Sequence, residues 1–476
     1  MSTAAAGPDP HRWQALGVCL IAGFITLLDV SIVNVALPSI RSGLGASESD
    51  IQWVLSGYAL TFGLALVPAG RIGDARGRRL MFMLGLALFT AASALCGAAQ
   101  TSAWLVLARL LQGIAGGMLT PQVSALIQQM FSGRERGRAF GMFGTVIGIS
   151  TAVGPLLGGL IIKAFGAAQG WRWVFYVNLP IGIVALVLAR RLLPGPDHAN
   201  RACLRDLDPI GVLLLGTGVV LVLLPLVEER QWQGAGKWLL VPLAAAFLAA
   251  FVRWEIRQLR RGRKPVVDLA LFRVRSYTLG LLVMLFYFAG FTSIFFVFTL
   301  YLQSGLGYSA LLAGLAITPF AVGSAVGASI GGHLVNRFGH ALVTSGLLLV
   351  AVGLAGAIVA VDAVPGYGVG WVLVAPLAAA GLGSGLVISP NQTLTLAEVP
   401  PAQGGSAGGV LQTGQRIGSA MGIAAVGSIF FSRLAADHGR DWAGPLRQGL
   451  VVSVAFVLAA FTVAFVDLRR GRPVGR

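Results

Sequence analysis

Short clusters of arginine, glycine, proline and aspartate divide the chain into fourteen long apolar blocks, at about residues 13–37, 51–70, 79–99, 103–128, 138–163, 173–193, 209–227, 237–254, 277–301, 309–331, 340–361, 369–390, 405–431 and 448–467. A helix that crosses the hydrocarbon layer of a bilayer needs roughly 20 mainly apolar residues. In lipid every backbone polar group must find its partner inside the segment, so each block is expected to be a helix. The fold class that follows is an all-α membrane protein of fourteen spans. Only 11% of the residues are charged, against about 25% in soluble domains. The first block is too long for a signal-peptide core and further spans follow it, so it is expected to persist as a helix.

The chain carries 35 Lys and Arg against 18 Asp and Glu, a formal charge of +17. In a soluble protein such an excess points to nucleic acid. Here the basic residues sit in short runs between apolar blocks, so no nucleic-acid partner is expected and the charge records orientation in the lipid. Alternate connections, starting from the N-terminus and including 71–79, 134–138, 190–205, 253–275 and the tail, hold 25 of the 35. The opposite side holds 8, and Arg109 and Arg416 lie inside spans. Both termini are therefore expected in the cytoplasm. Cys19, Cys96 and Cys203 are far apart, without a CxxC pair or a histidine at ligand spacing, so neither a disulfide framework nor a metal site is indicated. The histidines (His11, His198, His333, His340 and His438) are scattered and no Walker loop is present, which argues against a polytopic membrane enzyme. The longest expected cytoplasmic stretch, about 255–276, is too short to fold as a signalling domain.

The chain repeats itself weakly. "GRIGDARG" (Gly70–Gly77) after the second block is matched by "GHLVNRFG" (Gly332–Gly339) after the tenth, at an offset of 262 residues. "GIAGGMLTP" from Gly113 is matched by "GLGSGLVISP" from Gly381, at an offset of 268. One duplication accounts for both. The expected organisation is a six-helix bundle over 13–195, two extra central spans over 205–258 and a second six-helix bundle over 275–470.

Four stretches of the first half, in order, are "LDVSIVNVALPSI" (Leu28–Ile40), "GRIGDARGRR" (Gly70–Arg79), "RLLQGIAGGMLTP" (Arg109–Pro121) and "GTVIGISTAVGPLLGG" (Gly144–Gly159). Together with "WRWVFYVNLPIG" (Trp171–Gly182) they resemble the signatures of the major facilitator superfamily, and in particular its fourteen-span drug:proton antiporter branch. The resemblance implies the major facilitator fold and alternating access between the two bundles.

Asp29 lies within the first span, where a carboxylate costs several kcal/mol unless paired, hydrated or protonated. It reads either as a proton carrier for which proton and cationic cargo compete, or as a helix-to-helix hydrogen bond without titration. Arg109 poses the same problem with opposite sign. Gln112, Gly113, Gly116 and Gly117 follow it on one helical face, and Asp29 is its candidate partner. The resemblance assigns proton coupling to Asp29, Arg109 and Gln112. It assigns stabilisation of one access state to the loop bearing Gly70, Asp74, Gly77 and Arg78, where Asp74 is expected to meet a helix N-terminus or an arginine of the facing half. Gly144, Gly148, Gly154, Pro155, Gly158 and Gly159 make the fifth span a closely packing, bendable helix, the pattern that marks antiporters within the superfamily.

Arg416, with Gln412 and Gln415 nearby, is the second intramembrane cation, and Glu398 near the end of the twelfth span is the acid closest to answering it in the second half. Phe286, Tyr287 and Phe291 recur at helical spacing and fit either cavity lining or packing; Asn34 is a further candidate for the cavity. The expected function is proton-driven export of lipophilic, cationic or amphipathic compounds across a bacterial plasma membrane by a monomer. It uses the proton gradient and no cofactor, with membrane lipids, protons and small molecules as partners. A dedicated exporter of one natural product is the alternative. The excess of Arg over Lys (Lys163, Lys237 and Lys264 alone) and the abundant Ala and Gly suit a high-GC bacterium.

Overall fold

The computed structural model describes residues 10–166, 168–195, 208–228, 232, 234–263, 265–437 and 441–470. His198, Cys203 and His438, with residues 196–207 and 471–476, lie outside them. Among the described residues fourteen helices are long and apolar enough to cross a membrane. Spans one to six are Arg12–Leu44, Glu48–Arg76, Arg78–Gly97, Ser102–Met130, Gly133–Phe165 and Gly170–Leu192, and spans seven and eight are Pro209–Val227 and Gly236–Arg260. Spans nine to fourteen are Arg275–Gly305, Leu311–Phe338, His340–Ala363, Val374–Thr395, Pro401–Ala436 and Ala443–Arg469. The even count returns span fourteen to the face from which span one starts, here called the terminal face.

Local chemistry sets the helix ends. Span two opens on a capping box in which Asp50 N donates to Ser47 Oγ (3.1 Å) and Ser47 N donates to Asp50 Oδ2 (3.0 Å), satisfying two donors that a helix start leaves free. The expected loop 71–79 is far narrower than the sequence suggested. Span two stays helical through Arg76 and span three begins at Arg78, so Gly77, at φ 111°, is the whole connection. Span six is broken at Val177. Pro180 has no N–H to give the carbonyl of Tyr176, which frees one turn of backbone there.

Spans one to six and nine to fourteen form two bundles; a separate apolar core fills much of the second, while the main core of the first continues across the seam into Tyr277, Met284, Ala407 and Leu411 of spans nine and thirteen. Large apolar side chains such as Leu107, Val359 and Trp371 point outward, as lipid-facing residues must. The duplication is visible in the packing between the halves. Gly70 of span two lies against the backbone of Gly405 in span thirteen, and Gly332 of span ten lies against Gly137 and Gly141 of span five. The offset of 268 residues relates Gly137 to Gly405, and 262 relates Gly70 to Gly332. The two extra spans flank this seam. Leu223 of span seven reaches Gly63 of span two, and Val219 and Leu223 form a cluster with Ala420 of span thirteen. Trp254 of span eight donates to both carboxylate oxygens of Asp208, which caps span seven (2.9 and 2.8 Å). The extra pair is thus docked on both bundles through span seven.

Span five packs on both halves. Gly144 and Gly148 face Ala328, Ser389 and Ala325 of the second half, while Gly154 and Gly158 face Ser31 and Ile32 of span one. Pro155 approaches Gly314, and Gly159 has open space where a Cβ would stand. A Cβ on Gly154 would overlap Ser31 Oγ and Cβ. Gly154→Ala is therefore expected to lower the thermal stability of the purified protein by about 1–3 kcal/mol through overpacking, and Gly159→Ala to leave it within about 0.5 kcal/mol. Equal melting shifts for the two variants would contradict this packing.

Candidate functional site

Asp29 and Arg109 meet inside the first bundle, at 0% and 1% exposure, with Asp29 Oδ2 2.6 Å from Arg109 Nη1. Their neighbours complete the pair. Gln112 Nε2 (2.9 Å) and Asn178 Nδ2 (3.2 Å) donate to Asp29 Oδ1. Arg109 donates from Nε to the Val54 carbonyl (3.1 Å) and from Nη1 to Gln112 Oε1 (2.7 Å). Ser93 Oγ accepts from both Gln112 Nε2 (2.7 Å) and Asn178 Nδ2 (3.1 Å). Spans one, two, three, four and six all contribute, and the break in span six is what presents Asn178. Arg109 is the eighth residue of span four, which sets the cluster nearer the face opposite the termini. The glycines after Arg109 let span two approach, for a Cβ on Gly113 or Gly117 would overlap the carbonyls of Tyr58 and Phe62.

The sequence pointed to Asp29, Arg109 and Gln112, and the structure brings them together. It missed Tyr58, Ser93 and Asn178. Direct competition between cargo and proton for Asp29 does not fit this geometry, because the carboxylate is sealed within one bundle and its oxygens are taken up by three donors. A route outward runs instead through stacked groups. The Arg109 guanidinium carbon lies 4.1 Å from the centre of the Tyr58 ring. Tyr58 and Phe62 are 5.8 Å apart, one helical turn along span two. The Arg416 guanidinium carbon lies 4.3 Å over Phe62 from the other half. Asp29 and Arg416 are thereby joined across the seam.

At the terminal face Asp74 is a helix cap supplied in trans. Its Oδ1 accepts from Gly405 N (2.9 Å), and its Oδ2 accepts from Ser406 N (2.7 Å) and Ser406 Oγ (3.1 Å). These are free donors at the positive end of the helix in span thirteen. Arg78 of its own half binds Asp74 (2.9 Å), the Ala125 carbonyl (3.0 Å) and the Pro401 carbonyl. Of the two partners expected for Asp74, the facing half supplies the helix end and the near half the arginine. In the second-half copy His340 instead meets Asp467 (3.0 Å) within its own bundle.

Other expectations need correction. Glu398 is exposed beyond the end of span twelve and forms no ion pair with Arg416; the turn after Thr395 carries it out of the seam. Tyr287 is fully buried in the second-half core, and Phe286 and Phe291, half-buried, pack against the same core. Asn34 is exposed on span one, five residues beyond Asp29.

The family model described as Major Facilitator Superfamily matches residues 19–423. Among curated relatives, a probable actinorhodin transporter of Streptomyces coelicolor is 40% identical over 435 residues, covering 90% of this chain and 75% of that protein. A puromycin resistance protein of Streptomyces alboniger is 36% identical over 475 residues, covering 98% and 92%. Among solved structures, a proton:xylose symporter superposes with a TM-score of 0.66 at 15% identity, covering 98% of this chain and 96% of that one, and shares the fold.

Two predictions follow from the geometry. Asp29→Asn or Arg109→Gln alone leaves a buried charge or donor unanswered and is expected to cost about 3–5 kcal/mol, whereas the double variant recovers much of the loss; a double-mutant cycle on thermal melting checks this. Asp74→Ala frees the donors of Gly405 and Ser406. A Ser124→Cys reporter, buried beside Gln412 (3.4 Å), is then expected to react several-fold faster with a maleimide from the terminal face, and an unchanged rate would mean that Asp74 does not hold this face closed.

Proposed function

This chain belongs to the major facilitator superfamily, and from that premise we propose that it is a proton-coupled exporter of lipophilic small molecules, working by alternating access as an antiporter. The observation that carries the coupling is the sealed Asp29–Arg109 pair. A proton on Asp29 neutralises the carboxylate and leaves Arg109 as an uncompensated cation in an apolar bundle, a state several kcal/mol less favourable. The arginine then shifts toward other acceptors, and its contact with Tyr58, hence Phe62 and Arg416, carries that shift to the seam between the halves. Loss of the proton restores the pair. A proton is thus exchanged for a change in the seam, which is the requirement for coupling protonation to access.

We place the terminal face, where Asp74 and Arg78 bind span thirteen, on the cytoplasmic side of a bacterial plasma membrane, with the chain acting as a monomer. The basic connections of that side support the orientation. Relatives named for actinorhodin and puromycin support export of antibiotics as the role. They favour, as a second reading, one self-made compound as the main cargo.

Inverted vesicles loaded with acid test both readings. A panel of neutral, cationic and anionic aromatic compounds is added and proton release is followed with a pH-sensitive dye. The intact protein is expected to release protons with at least one compound, and Asp29→Asn to lose this response while still exchanging labelled for unlabelled compound without a gradient. Gradient-driven accumulation by Asp29→Asn equal to that of the parent would remove Asp29 from the coupling.

A further inference from the structure

Arg416 is the sixteenth residue of span thirteen, close to the middle of the membrane. It lies on the stripe that faces the first half. Gly405 and Gly409 of that stripe rest on span two, and Gln412 rests on Thr120 and Ser124 of span four (3.4 Å each). Its guanidinium covers the face of Phe62, and among the described residues no ion pair or hydrogen bond reaches it. Gln415, the preceding residue, has its Nε2 buried and likewise without an acceptor. No acid is placed to answer them. Asp29 is committed to Arg109, and every other Asp or Glu of the fourteen spans lies within five residues of a span end. The seam therefore holds, at mid-membrane depth, one partly buried cation and one amide donor with no acceptor. An intramembrane cation is costly unless paired, and like charges repel strongly where water is excluded.

We infer that Arg416 and Gln415 form a cargo subsite for the acidic group, a carboxylate or phenolate, of an aromatic anion, with Phe62 as its apolar support. This rests on the transporter reading above and changes the expected cargo from a lipophilic cation to a lipophilic anion. A guanidinium supplies paired donors that match a carboxylate. Its position at the end of the chain of contacts from Asp29 links the cargo charge to the coupling pair through Phe62 and Tyr58.

The test uses one fluorophore in two charge forms, 9-anthracenecarboxylate and (9-anthracenylmethyl)trimethylammonium, titrated into the purified protein. The carboxylate is expected to bind roughly tenfold more tightly than the ammonium. Arg416→Gln is expected to weaken the carboxylate by roughly tenfold and leave the ammonium within about twofold, whereas Arg416→Lys keeps much of the preference. An unchanged melting temperature for Arg416→Lys shows that the folded protein is being measured. The inference is overturned if neither probe binds, if the ammonium binds as tightly as the carboxylate, or if Arg416→Gln leaves the carboxylate unaffected. Carboxylate binding that depends on Arg416, without proton release in loaded vesicles, would uphold the subsite while removing the coupled-export reading. Proton-driven accumulation of the ammonium that survives Arg416→Gln would do the reverse.

Discussion

A carboxylate and a guanidinium placed together in a lipid-embedded bundle must be satisfied almost completely, because neither water nor lipid supplies the missing partners. At Asp29 and Arg109 five spans are committed to that task. Asn178 is available only because span six breaks beside Pro180, and Arg109 meets the Val54 carbonyl only because the glycines of span four admit span two. Much of the first bundle's geometry is therefore tied to one ion pair. A change in its charge is felt by every span that holds it.

The second bundle shows what the same scaffold is without that constraint. At the offsets of the duplication, Asp29 and Tyr58 correspond to Phe291 and Phe320, and Arg109 and Gln112 to Leu377 and Ala380. Phe291 and Phe320 stack at 5.8 Å within an apolar core. Backbone contacts survive the exchange, for Gly381 meets the Phe320 carbonyl as Gly113 meets that of Tyr58. The chemistry does not survive it. Arg416 inverts the pattern, since its counterpart in span five is Gly148, packed against Ala325. One half thus holds the paired charges and the other contributes the unpaired one, and the Tyr58–Phe62 stack bridges them.

The pair itself was legible in the sequence because a charged residue inside an apolar block has few tolerable explanations. The same logic found Arg416. It did not find Tyr58, Ser93 or Asn178, since an uncharged tyrosine, serine or asparagine carries no comparable penalty. It misjudged the connection after span two, where Gly70 and Gly73 suggested a loop. Gly70 is pressed against Gly405 and Gly73 against Gln122, and a helix that must satisfy its backbone at that depth continues until Gly77. Glu398 was weighed as a partner for Arg416 by proximity in sequence, and one turn of backbone was enough to separate them.

By itself the sequence determined the number of spans and the identity of the costly charges, because hydrocarbon thickness and the desolvation of ions act on residue type and order alone. Only the tertiary structure decided which groups answer those charges. It sealed Asp29 within one bundle, set Asp74 on the helix end of the opposite half and left Arg416 facing the seam unanswered. Those outcomes depend on which helix faces approach each other, and that is set by glycine contacts between spans far apart in the chain.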